Sequence, residues 1–176
     1  VQLHHFCAVD LSAFYFDIRK DALYCDARDD LRRRATRTVL DQVFSCLTAW
    51  LAPILVFTAE EAWQQRVADP ANSVHLRTYP EVPAAWAAAE LAARWERLRE
   101  VRRVVTGALE LARAEKHIGS SLQAHPVVHL TEASKALFDG LDPAEIFITS
   151  AATLSTAPAP DDAFRLAEVA DVAVAS

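Results

Sequence analysis

The sequence predicts a mainly α protein, a helical bundle followed by a small α+β appendage. Three observations carry this. Alanine supplies roughly a fifth of the 176 residues, while only 3 Gly and 8 Pro are present, so the long segments hold few helix breakers. Apolar residues recur at three- and four-residue steps through the first two thirds of the chain. After that the period changes, and short β-branched runs such as Val127-Val128-His129-Leu130 take over. A composition of 52% hydrophobic and 24% charged residues excludes disorder. No apolar run approaches the ~20 residues of a membrane-spanning helix, the richest being short and broken by Pro53.

Each element has its own signal. Residues 3–9 read as the last turns of a helix, with Asp10 capping a second one that runs through Lys20. Residues 30–51 place Leu31, Ala35, Val39, Val43, Cys46, Leu47 and Trp50 on one helical face, and Pro53 should end or kink that helix. Thr58 and Glu61 form a capping box that should open a short helix carrying Trp63. A turn at 69–72 leads to an extended piece at 74–79, closed by Pro80 and Pro83. The longest helical pattern is 84–116, with Leu91, Trp95, Leu98, Val101, Val105, Ala108 and Ala112 on one face and Gly119 at the left-handed C-cap position. Trp50, Trp63 and Trp95 are expected in the bundle core.

Beyond this, 125–130 reads as a strand and 132–138 as a short helix. Asp142, Pro143 and Glu145 give the N-cap, N1 and N3 residues of another helix. Residues 146–149 and 168–174 could be further strands, and 157–162 a surface connection. The expected division is a helical bundle at 1–118 and a small α+β subdomain at 119–176.

The net charge of −6 is unevenly placed. From Glu132 onward there are eight acidic side chains against Lys135 and Arg165, which accounts for the whole excess. Two clusters in the neutral remainder are basic: Arg28, Arg32, Arg33, Arg34 and Arg37 against Asp29 and Asp30, and Arg94, Arg97, Arg99, Arg102 and Arg103 against Glu96 and Glu100. A polyanion meets the local field, so overall acidity does not exclude nucleic acid. The bland reading is a solvated face with Glu96–Arg99 and Glu100–Arg103 ion pairs.

Cys7, Cys25 and Cys46 are odd in number and well separated, which argues for a reducing cytoplasm and against a disulfide framework or a Cys-based zinc site. With no Met even at position 1 and no secretory signal, the chain reads as an excerpt from a longer cytoplasmic protein. His125 and His129 have metal-ligand spacing for a helix, but on a strand four residues span ~13 Å. No Gly-rich phosphate loop or nucleophile elbow is present, so no catalytic centre is visible.

The run from Phe6 to Asp21, with Asp10-Leu11-Ser12-Ala13-Phe14-Tyr15 at its centre, is followed by Arg33-Arg34 leading into Thr38-Val39-Leu40. Then come Trp50-Leu51-Ala52-Pro53-Ile54-Leu55, Phe57-Thr58-Ala59-Glu60-Glu61-Ala62-Trp63, Ser73-Val74-His75-Leu76, a stretch from Ala112 to Ala124, and Phe147-Ile148-Thr149-Ser150. In this order they closely resemble the anticodon-binding region of bacterial isoleucyl-tRNA synthetases, class I aminoacyl-tRNA synthetases. His117-Ile118-Gly119-Ser120 is not that class's His-Ile-Gly-His nucleotide signature, because it closes a long helix and its last residue is Ser.

The resemblance implies a segment that docks the anticodon arm of isoleucine tRNA while catalytic and editing domains elsewhere carry out ATP-dependent aminoacylation. It implies a Cys-x-x-Cys zinc module following the segment, with ATP and zinc expected in the full-length enzyme and no cofactor in this segment. Partners would be isoleucine tRNA and the other domains of the same enzyme, in a cytoplasmic monomer without membrane contact. The candidate tRNA-binding residues are Arg33, Arg34, Arg19 and Lys20. Arg33 and Arg34 point about 100° apart on a helix, so one should meet RNA phosphate and the other brace the 3–20 segment through Asp10 or Asp17. The competing reading is a helical protein–protein interaction scaffold, which the arginine faces and four Trp would also permit.

Overall fold

Helices account for most of the chain and strands for one small sheet, the mainly α architecture with an α+β appendage that the sequence predicts. The computed structural model describes residues 2–175. They fall into two compact units that meet between Ala87 and Ala88 in sequence. Among the described residues no helix is long and apolar enough to cross a membrane.

In the first unit, α1 (Gln2–His5) continues directly into a π-helical segment, Phe6–Phe16. The expected break at Asp10 is absent: His5, at the junction, keeps helical dihedrals (φ −58, ψ −47), and Asp10 lies inside the wide turns. α2 (Lys20–Tyr24) follows. α3 (Leu31–Leu51) begins where the spacing predicts, because Asp30 is extended at the N-cap and its carboxylate accepts the amides of Arg32 and Arg33. It stops two residues before Pro53, which cannot donate the next helical hydrogen bond. The Leu55 amide still reaches the Leu51 carbonyl (2.7 Å), so the turn restarts a helix at once. α4 (Val56–Val67) therefore opens before Thr58, and the expected capping box is not used. Ala68, left-handed at φ 54, ends it. Residues 74–76 form a 3₁₀ turn rather than the start of an extended piece, because Ser73 caps the His75 amide while Glu60 holds the Ser73 hydroxyl and the Val74 amide, both at 2.8 Å.

Of the expected stripe on α3, Cys46 is buried and Val43 and Leu47 are half-buried, while the other buried residues, Thr36, Thr48 and Ala49, lie off it. Leu31 is 79% exposed, Val39 45% and Trp50 38%, which corrects the expected core face. The threonines tolerate burial because their hydroxyls return to the helix, Thr36 to the Arg32 carbonyl and Thr48 to that of Phe44, each at 2.8 Å. Small Ala52 and Ala59 form a core cluster with Val74, and half-buried Trp63 packs against it.

In the second unit, α5 (Ala89–Ala114) starts after a separate 3₁₀ turn at Ala84–Trp86 and ends with Lys116, not Gly119, in the left-handed region (φ 63). Its buried stripe, Leu98, Val101, Val104, Val105 and Leu109, packs with Val128, Leu130, Phe138, Ile146, Phe147, Val169, Val172 and Val174 in one core. This packing groups the long helix with the sheet, and the compact units divide at 87/88. Gly107 fits this face because a Cβ there would meet the Phe164 ring at 2.9 Å. Trp95 is half-buried against the same core.

The sheet has the order β2-β1-β3, from β1 (Val127–Leu130), β2 (Thr153–Ser155) and β3 (Val172–Ala175), with β1–β2 parallel and β1–β3 antiparallel. Val128 lies opposite Leu154 on one side and Val174 on the other. α6 (Glu132–Ala136) and α7 (Pro143–Phe147) cross between β1 and β2. The expected strand at 146–149 is instead the end of α7, because the Ala144 amide donates to the Asp142 carboxylate and Ile148 turns left-handed (φ 57). Local capping outweighs the β-branched run there.

Arg97 ties α5 to the approach to β3, meeting Asp171 at 2.5 Å and Glu100 at 2.6 Å, in place of the expected Glu100–Arg103 pair. That guanidinium holds the Asp171 carboxyl below the ordinary carboxylate range. A carboxyl with a lowered folded pKa contributes stability above its unfolded pKa and loses it as pH falls through the folded value. Acid titration should therefore destabilise the second unit below the usual carboxylate range. Asp171→Asn should lower the melting temperature at pH 7 and shrink that acid dependence, read by thermal unfolding between pH 2 and 7.

Candidate nucleic-acid interface

Steps of three and four residues link Arg34, Arg37, Asp41 and Phe44, and also Arg34, Thr38 and Asp41, so α3 presents them on one face. With Leu40 and with Arg66 from the last turn of α4, they line an open groove of about 730 Å³. Arg34 and Arg37 are exposed. Arg66 is fixed to Asp41 by two donations to one oxygen, 2.8 and 3.1 Å. Three guanidinium groups thus share the groove with one carboxylate, so its lining is formally basic in a chain of net charge −6.

The wall carrying Phe44 is stiffened from behind. The Phe44 ring lies nearly parallel to Trp63 (7°, centroids 6.2 Å apart), and the Arg77 guanidinium sits 4.1 Å from the Trp63 ring centroid. Arg77 donates to the Ser45 hydroxyl (2.7 Å) and carbonyl (3.2 Å), and the Trp63 indole donates to the Asn72 carbonyl (2.8 Å). Glu60, accepting from Ser73, Gln64 and the Val74 amide, is held below the ordinary carboxylate range chiefly by the Ser73 hydroxyl. The 69–77 loop, α3 and α4 are fastened by these contacts.

The candidates read from sequence separate. Arg34 lines the groove. Arg33 turns to the neighbouring face, where its Nη1 donates to the Asp26 carbonyl at 2.7 Å; the brace thus falls on Asp26, not on Asp10 or Asp17. Arg32 forks onto the Asp26 carboxylate with two 2.7 Å bonds and lowers that carboxyl's pKa. Lys20 is paired with Asp17 at 2.8 Å, and Arg19 takes the N-cap position of α2; neither lines the groove.

Arg37 and Arg66 were not among the sequence candidates. The helical spacing from Arg34 could have found Arg37. Arg66 needs the α3–α4 pairing, which no local pattern carries. In the second basic cluster, Arg94 donates to the Leu137 and Asp139 carbonyls and Arg102 to that of Ile146, so these arginines cap short helices and loops of their own unit. His125 meets the Thr153 hydroxyl at 2.9 Å and His129 the Ala157 carbonyl at 3.0 Å.

The sequence gives the class that carries this groove: the chain belongs to the family described as the anticodon-binding domain of tRNA ligase, whose model matches residues 1–128. It is 57% identical over 170 residues to the isoleucine–tRNA ligase of Agrobacterium fabrum, a match spanning 96% of this chain and 18% of that protein. It is 56% identical over 171 residues to the isoleucine–tRNA ligase of Ruegeria pomeroyi, spanning 97% of this chain and 18% of the relative. The enzyme of the same name from Mesorhizobium japonicum is 54% identical over 170 residues, spanning 96% and 17% respectively. The chain thus spans less than a fifth of the length of these curated relatives.

The different surroundings of the adjacent arginines set their expected effects apart. Arg33→Ala should cost about 1–2 kcal/mol of stability, the worth of a charged hydrogen bond to a partly enclosed carbonyl. Arg34→Ala should stay within about 0.5 kcal/mol, as for an ordinary surface substitution. Urea unfolding of the two variants measures both.

Proposed function

We propose that this chain is the anticodon-arm-binding segment of an isoleucine–tRNA ligase, and that the Arg34–Arg37–Arg66 groove takes phosphates of the bound RNA. The observation that carries the reading is the concentration of three guanidinium groups around one open groove within the family-matching residues. Phosphate contacts of this kind supply affinity and register, and each releases counterions, so binding weakens steeply with salt. The partners are isoleucine tRNA and the remaining domains of the longer enzyme, acting as a cytoplasmic monomer. ATP-dependent aminoacylation belongs to those other domains, as do the ATP and zinc that the enzyme uses. In this reading Arg33 is architectural, and Arg19 and Lys20 are secondary RNA contacts outside the groove lining.

A second reading, a protein-interaction scaffold, draws on the exposure of Phe57 (89%) and Ile54 (76%). Other domains of the same long polypeptide account for such apolar contacts without a separate partner.

In the full-length enzyme, Arg34→Ala and Arg37→Ala should each weaken tRNA binding and flatten the log–log salt dependence by about one unit. Isoleucyl-adenylate formation should remain normal in both. Filter binding from 50 to 200 mM salt and ATP–pyrophosphate exchange read the two quantities. Unchanged salt slopes in both variants would remove the groove from the RNA path.

A further inference from the structure

We propose that Phe44 is a stacking platform for one unpaired base of the bound RNA, with Arg34 and Arg37 on the adjoining phosphates. The inference rests on the anticodon-arm reading and extends it from backbone contact to base contact. Phe44 is only half-buried and lines the arginine groove, whereas the buried cluster beside it consists of Ala52, Ala59 and Val74 with Trp63. An aromatic ring in a basic groove is what splayed single-stranded nucleotides require: a π-face for the base and guanidinium groups for the backbone. On α3, Arg37 lies about 10 Å and Arg34 about 15 Å from Phe44 along the helix axis, so one strand running along the stripe would meet all three.

The ring is also held ready. Trp63 lies parallel to it, the Trp63 indole is anchored on Asn72, and Arg77 packs over Trp63 while bonded to Ser45, the residue after Phe44. Trp63 and Arg77 are then positioning residues for the platform. A paired stem would not use it, because its bases are stacked and their faces covered. The platform thus favours loop nucleotides over duplex.

The test uses full-length enzyme carrying Phe44→Leu, Phe44→Tyr, Arg34→Ala or Arg37→Ala, titrated with an isoleucine-tRNA transcript. A second set of transcripts makes each anticodon-loop nucleotide abasic in turn. Phe44→Leu should lose about tenfold in affinity for the intact transcript, with an unchanged salt slope because no charge is removed, and Phe44→Tyr should restore binding. At one loop position, removing the base should weaken wild type by a similar factor and leave Phe44→Leu unaffected. Each intact-to-abasic ratio is taken on a single protein, so a change in folded fraction cancels. If no abasic position separates wild type from Phe44→Leu, the platform is refuted, while a flattened slope for Arg34→Ala or Arg37→Ala would leave the phosphate groove standing. If the Arg34→Ala and Arg37→Ala slopes are both unchanged as well, the groove assignment falls and the platform with it.

Discussion

The contacts of Trp63 are the constraint on which the first unit depends. The cluster that Trp63 packs against is small, built from Ala52, Ala59 and Val74, while Leu11, Ile18, Ala22, Cys46 and Ala49 are buried elsewhere in the unit. One indole meets the α3 side chain Phe44, the Asn72 carbonyl and the Arg77 guanidinium, joining two helices and a loop through a single side chain. Its cation–π and aromatic contacts are each of order 1 kcal/mol. They gain from being shared, because Arg77 is itself fixed to Ser45 and the loop is fixed to Glu60. The arginine groove is a consequence of that fastening, since Arg66 comes from α4 while Arg34 and Arg37 come from α3.

Arginine serves two opposite ends in the two units. In the second, Arg94, Arg97 and Arg102 reach from α5 to carbonyls and carboxylates at the ends of short elements. Those short helices leave carbonyls without intrahelical partners, and a forked donor on a long helix can satisfy several. In the first unit, Arg32 and Arg33 do similar work at Asp26, and Arg34 and Arg37 are left facing solvent. Counting arginines would have weighted the two clusters equally. Only their acceptors distinguish a structural tie from a guanidinium left in solvent.

What the sequence determined by itself is local and chemical. The Asp142 cap, the helix of residues 30–51 with its stop before Pro53, a strand within 125–130 and the mainly α class all follow from short-range hydrogen bonding and periodicity, and all are present. The ordered motifs shared with the tRNA-ligase anticodon-binding family were equally readable, because they need no coordinates. Arg34, named from the sequence, lines the groove, and Arg37 beside it was reachable by helical spacing.

Tertiary structure decided which face of α3 is buried, choosing Thr36, Thr48 and Ala49 over Leu31, Val39 and Trp50. Periodicity marks an apolar stripe but not the neighbour that will cover it, and hydroxyls bonded back to their own helix enter a core at little cost. Tertiary packing also assigned the long helix to the sheet, and turned the β-branched run at 146–149 into the end of a helix. It brought Arg66 to Asp41 across 25 positions of sequence. No local pattern encodes that approach, because it arises only when α4 folds back on α3 and a loop is fastened to both.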